Sequence, residues 1–148
     1  MKSLFLKFIG LLALLSFILN FAWEWFQCVP FFFHRVAQAT PISMVVAALG
    51  DVGLIFLVLG FVFILTKCRQ SFMQSPFKFR NFIFIEVMAF LVAVGVEKIA
   101  LATDRWSYTE MNPIIPILGV SFLPVLQLMF IIPLVLFLTA AVMRKPSK

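Results

Sequence analysis

Charge is scarce in this sequence: 12% of its 148 residues are Asp, Glu, Lys or Arg, and only 6 are acidic. There is one tyrosine, one histidine and a pair of cysteines. Each scarcity excludes something. A single histidine and two thiols, Cys28 and Cys68, supply no metal-ligand set, and no cofactor is implied. The two thiols are expected on opposite sides of a bilayer, so no intrachain disulfide is expected either. A glycine-rich phosphate loop, a nucleophile elbow and paired histidines are all missing. Any phosphate handling would rest on Arg35 and Arg105 alone.

Apolar residues are abundant. The chain is 64% hydrophobic, with 20 phenylalanines and a mean hydropathy of +1.12. A soluble core could not hide that much apolar surface at this length, whereas lipid accepts it without a packing partner. Four runs are long enough to cross a bilayer, at about 4–29, 42–66, 82–102 and 114–143. The expected fold is all-α: one domain, residues 1–148, of four transmembrane helices in a bundle. The first run resembles a secretory signal peptide at its start but continues through Trp23, Glu24 and Trp25, so it is read as a retained span.

The formal charge of +6 would suggest nucleic acid in a soluble protein, but its distribution says otherwise. Lys2, Lys7, Lys67, Arg69, Lys78, Arg80, Arg144, Lys145 and Lys148 fall on one side of the four spans, and Arg35, Lys98 and Arg105 on the other. By the positive-inside rule both termini and the middle loop are cytoplasmic, and the loops 31–41 and 103–112 face outward from the cell (inner) membrane. The bilayer is then the expected partner, not nucleic acid. The middle loop, basic and rich in phenylalanine, is expected to lie against anionic headgroups.

Polar residues inside the spans are few, and their positions carry the functional expectation. Asn20, Trp23, Glu24 and Gln27 stand at i, i+3, i+4 and i+7 and share one helical face. Asp51 lies nine residues into the second span, about 13 Å deep, where insertion costs roughly 3 kcal/mol. Ala47, Gly50 and Gly53 surround it at small-residue spacing: either they let another helix approach, with Asp51 hydrogen-bonding across the contact, or Asp51 faces a partner or a cavity as a functional group. Glu97 ends the third span on the same side; Glu86, near the opposite end, is expected to pair with Arg80 or a snorkelling lysine. Beyond it, WSYTEMNPIIPILGVSFLPVLQ crowds Trp106, Tyr108, Asn112, three prolines and Gln127 into 22 residues. Asn112-Pro113 signals a turn, Pro116 suits a first helical turn, and Pro124 and Pro133 are expected to bend the last span. Gln127 is placed either to satisfy a carbonyl freed by Pro124 or to meet the carboxylates.

Asp51, Glu97 and Glu24 are therefore the candidate catalytic residues, with Trp23, Trp106, Tyr108, Asn112, Gln127 and Asn20 as candidate substrate-binding residues. Acidic groups crowded in a low dielectric can divide into a proton donor and a base near neutral pH. The faces of Trp23, Trp106 and Tyr108 can stabilise a developing carbocation.

In combination, NFAWEWFQCVPFF, the Gly50-Asp51 pair, Glu97 and the tryptophan-to-glutamine stretch resemble a pattern found in small bacterial four-span membrane proteins. That resemblance implies the four spans and no particular activity. In architecture alone the chain is similar to the sterol isomerase and sigma-2 receptor superfamily, whose site motif it does not carry; this similarity implies an isomerase-like activity. Three functions are expected in this order: an acid-base enzyme, isomerase- or cyclase-like, acting on a lipid or isoprenoid; a small proton-coupled transporter working as a homodimer; and a non-catalytic lipid-binding or assembly protein.

Overall fold

Thr40 and Pro41 show how local chemistry starts a helix here. The Ser43 N–H donates to Thr40 Oγ1 at 3.1 Å and the Thr40 N–H donates to Ser43 Oγ at 2.8 Å, a reciprocal cap. Pro41, with its fixed φ, takes the first helical position. The computed structural model of the chain describes residues 2–34, 40–66 and 79–143. Its helices are α1 (Lys2–Phe31), α2 (Pro41–Thr66), α3 (Phe79–Ala102) and α4 (Phe122–Met143). Short strands β1 (Phe32–His34), β2 (Trp106–Tyr108), β3 (Ile114–Ile115) and β4 (Val120–Ser121) gather at one end. The expected interfacial loop, most of it at 67–78, lies outside the described residues.

Helix α1 packs against α2 and α4, and α3 packs against the same two. The end of α1, the start of α2, the end of α3 and the start of α4 meet at the strand-bearing end. Leu12, Ile55, Val58, Ile85, Ile132 and Leu136 form the core. Polar side chains are also inside: Ser16, Asn20, Glu24, Gln27, Glu97 and Gln127 are buried, while Leu14, Ile18, Leu49, Leu57, Leu91 and Phe137 are exposed. This inverts the distribution of a soluble protein. Ser3–Phe31, Pro41–Leu65 and Phe122–Met143 are long and apolar enough to cross a membrane, and three such helices suggest a membrane protein. Helix α3, which carries Glu86, Glu97 and Lys98, is not among them.

The fourth apolar run is not helical from Ile114. Residues 114–121 form a small antiparallel hairpin, Ile114 opposite Ser121 and Ile115 opposite Val120, and α4 begins only at Phe122. Pro116 sits in the hairpin turn and not in a helix, and Gly119 closes that turn at φ +64°, donating its N–H to Ile115 O at 2.8 Å. Glycine adopts that backbone without the steric penalty other residues meet. Pro124 falls in the first turn of α4, where the missing N–H breaks no bond; only Pro133 is interior.

Both connections at this end are tied down. β1 and β2 pair antiparallel, Phe32 opposite Tyr108 and His34 opposite Trp106. Helix α3 ends in a Schellman turn: the Arg105 N–H donates to Ala100 O at 2.9 Å and the Asp104 N–H to Leu101 O at 3.2 Å, with Asp104 left-handed at φ 53°. That reversal folds the chain back over Glu97. The open carbonyls at the end of α1 are met from the next connection, by Thr109 Oγ1 donating to Pro30 O at 2.9 Å and Asn112 Nδ2 donating to Phe31 O at 2.7 Å.

Candidate functional site

The face predicted on α1 is real and faces inward. Asn20 Nδ2 donates back to Ser16 O at 2.8 Å, which leaves its Oδ1 as an acceptor. Gln27 lies one turn beyond Glu24 and connects everything around it. Its Oε1 accepts from Trp23 Nε1 at 2.8 Å, and its Nε2 donates to Glu24 Oε1 at 2.7 Å and to Gln127 Oε1 at 2.9 Å. Gln127, from α4, donates in turn to Asn20 Oδ1 at 2.9 Å and to Asp51 Oδ2 at 2.8 Å. A third contact of the same amide, to Glu24 Oε1, is longer at 3.5 Å. An amide has two hydrogens, and both glutamines use both of theirs. Trp23 Nε1 can only donate, which sets the Gln27 oxygen towards it, and the Gln27 Nε2 then sets the Gln127 oxygen in turn.

Gln127 therefore meets the carboxyl groups and does not serve a carbonyl freed by Pro124. Glu24 is 8% exposed, buried where the Gln27 amide donates to it. The Glu24 and Asp51 side chains are themselves within hydrogen-bond reach. Two carboxyl groups so placed can hold one proton between them.

Glu97 has a separate set of partners. Tyr108 Oη donates to Glu97 Oε2 and accepts from the Ser121 N–H at 3.0 Å, so the phenol is held between α3 and the β3–β4 hairpin. Burial, and then the neighbouring Glu97, push the Tyr108 phenol above its ordinary pKa, which keeps it a donor. Trp106 Nε1 faces the Glu97 carboxylate without closing a hydrogen bond. Phe32 packs edge-on against both rings, with centroids 6.3 Å from Trp106 and 5.8 Å from Tyr108.

Between these two sets lies a cavity of about 780 Å³, in the size range of small-molecule sites. Glu24, Asp51, Glu97, Trp106 and Gln127 line it, with Gln27 and Phe32 beside them. Gly50 and Ala47 also line it, and a methyl group built on Gly50 or Gly53 would meet nothing within 4 Å. The small residues of α2 thus leave room and do not seat a neighbouring helix. Val46, Gly50 and Arg105 are the exposed members of the lining, so the cavity opens beside the first half of α2 and the end of α3.

Of the residues predicted for the site, Asp51, Glu97, Glu24, Trp106 and Gln127 share this wall. Asn20, Trp23 and Tyr108 stand behind it and hold wall residues by hydrogen bonds. Asn112 is not part of it; its amide closes the end of α1. Glu86 does not find Arg80. Its Oε1 is buried with no hydrogen-bond partner among the described residues, and six residues of helix turn the Arg80 and Glu86 side chains about 120° apart. Gln27 is the residue that sequence reasoning left out of the site, although its place on the polar face was visible.

Searches against protein-family models, curated proteins and solved structures find no match to this chain.

Proposed function

We propose that the chain is an integral membrane protein of the cell (inner) membrane with four spans and both termini cytoplasmic. In this reading the cavity lies in the outer half and performs proton transfer, isomerase- or cyclase-like, on a lipid or isoprenoid. Helix α3 crosses with the other three: its 24 residues extend about 36 Å, and its packing between α2 and α4 supports its crossing beside them.

One observation carries the chemistry. Two carboxyl sites with different partners, the Glu24–Asp51 pair and Glu97, face the same apolar cavity. The pair supplies a proton to a substrate double bond, and the π electrons form the new C–H bond. The neighbouring carbon is left cationic, beside the faces of Trp106 and Phe32. Glu97 removes a proton from the next carbon, and that C–H pair becomes the shifted double bond. Water entering after product release carries the proton from Glu97 back to the pair, which closes the cycle. Tyr108 is a positioning residue, fixing the Glu97 carboxylate through Oε2.

The test is mass spectrometry of lipid that co-purifies with wild type and with Asp51→Asn, followed by turnover of the enriched class in heavy water. Wild type is expected to enrich one lipid class and to place one deuterium per turnover in it, and Asp51→Asn to lose the deuterium. Identical lipid profiles with no isotope in either sample would overturn the proposal.

A further inference from the structure

Polarity on the cavity wall is divided by depth. Glu24, Gln27, Glu97 and Gln127 are buried, and the amide hydrogens of both glutamines are used on one another, on Asn20 and on carboxyl oxygens. With Asp51 beside them, oxygen acceptors dominate the interior. At the mouth the sign reverses. Among the described residues Arg105 is the one cation on the wall, and it is exposed, as Val46 and Gly50 are.

Arg105 is held from two sides. The turn that ends α3 fixes its backbone through the N–H donated to Ala100 O, and its guanidinium lies over the Trp106 ring, 5.5 Å from the centroid. Among the described residues that ring is the partner of the guanidinium, which makes no ion pair. The ring attracts the cation by its charge and takes up no conventional hydrogen bond, so the N–H fork remains for an anion. Ser43 brings the first turn of α2 to the same wall, and the partial charge of a helix start has the same positive sign. Asp104 and Glu110, the acids of the neighbouring connection, are exposed and do not line the cavity.

A ligand that suits this wall has two unlike ends. An anion in the interior would meet three acidic side chains, whereas hydrocarbon there meets Leu54, Ala93 and Leu128. At the mouth the reverse holds, because an uncharged headgroup leaves the guanidinium without its anion. A phosphate monoester answers the fork with two oxygens and keeps a third for the α2 end. We infer that the cavity takes an isoprenoid or other lipid phosphate monoester, its phosphate at Arg105 and its hydrocarbon inside, and that Arg105 selects it. This deepens the reading above and rests on it in one respect, that the same cavity receives the substrate. Glu97 stands five residues before the end of α3, about 7.5 Å along the helix, so the double bond brought to it is one close to the phosphate.

The experiment uses the full chain in nanodiscs of zwitterionic lipid and follows thermal unfolding as farnesyl phosphate, farnesol or inorganic phosphate is added, the two lipids at equal mole fraction. Farnesyl phosphate is expected to bind about tenfold more tightly than farnesol, the worth of one charge-assisted hydrogen bond. That margin is expected to shrink as ionic strength rises from about 0.01 M to about 0.15 M. Arg105→Gln is expected to erase the margin while farnesol binds as before, and Arg105→Lys to restore part of it. Equal affinity for the two lipids, or a margin that survives Arg105→Gln, overturns the inference. So does inorganic phosphate that binds as tightly as the lipid phosphate, since the site would then serve a free anion. Gly50→Leu, which narrows the mouth, is expected to weaken both lipids; undiminished binding of farnesyl phosphate there would put the phosphate on the outer surface and overturn the inference too. Should Arg105→Gln not fold, wild type labelled with nitrogen-15 arginine gives the answer: farnesyl phosphate shifts the Arg105 Nε resonance and farnesol does not, and an unmoved resonance is fatal. Binding of the phosphate without isotope exchange in it would remove the acid-base reading and leave this one standing. Turnover of an uncharged isoprenoid with no preference for the phosphate would do the reverse.

Discussion

The side-chain amides of Gln27 and Gln127 meet head to tail at 2.9 Å, a hundred residues apart in sequence, and join the first helix to the last. Each of the two amides also donates to a carboxyl oxygen, Gln27 to Glu24 and Gln127 to Asp51. The two amides therefore fix where the acidic groups stand.

Gln127→Leu is expected to lower stability by about 2–4 kcal/mol, because it strands Asp51 Oδ2 and one hydrogen of Gln27 together. A double-mutant cycle with Gln27→Leu, read by denaturant unfolding in micelles, is expected to give a coupling energy of about 0.5–2 kcal/mol. Strict additivity of the two losses would mean that the contact does not hold the helices.

Tyr108 governs the alkaline limb of stability. Its pKa is raised in the folded protein, first by burial and then by Glu97, so the folded state holds the phenolic proton more tightly than the unfolded chain does. The resulting stabilisation is fully present below about pH 10, the unfolded value, and is lost as pH rises from there toward the folded value. Wild type is expected to lose midpoint temperature above pH 10, and Tyr108→Phe to be less stable at pH 8 with a flatter alkaline slope. Parallel slopes would exclude Tyr108 as the cause.

Glu86 is a half-buried acid whose Oε1 is buried with no hydrogen-bond partner among the described residues. Removing it relieves an unmatched group and strands nothing that is bonded to that oxygen, so Glu86→Gln and Glu86→Leu are expected to leave stability unchanged or raise it by about 1 kcal/mol. A loss of more than about 1 kcal/mol in both would show a partner for this residue.

Gly50→Leu is expected to fill the cavity mouth without disturbing the helix, since a side chain there meets open space and leucine is the better helix former. Co-purifying lipid should fall severalfold while the unfolding midpoint holds or rises. Unchanged lipid with a normal midpoint would put the ligand elsewhere.

Single cysteines at Ser107 and Ser71, in a background with Cys28 and Cys68 replaced, are expected to react with an impermeant maleimide from opposite faces of the membrane. Labelling of both from one face would exclude four spans in the proposed orientation.

What could be read in the sequence was whatever repeats at helical spacing or stands out by cost. Asn20, Trp23, Glu24 and Gln27 announce a shared face by their intervals alone, and Asp51, Glu97 and Gln127 are conspicuous in hydrocarbon runs. The strands were not legible, because three residues such as Phe32–His34 are too few to display an alternation. Nor was the late start of α4, since Ile114 to Leu118 is as apolar as a span; Gly119 was the one local sign of a turn. Arg80 and Glu86 were matched by proximity in the chain, and helical rotation separates them. Asn112 looked like a ligand-binding amide because nothing in a sequence shows which helix end has carbonyls short of donors.

Gln127 belongs to α4, whereas Asn20, Glu24, Gln27 and Asp51 belong to the first two helices. Translation proceeds from the N-terminus, so the early helices must wait, their acidic side chains unsheltered, until the C-terminal one emerges and docks. A nascent chain stalled before α4 would leave this half-built arrangement unshielded, a natural flag for quality-control proteolysis of incomplete copies.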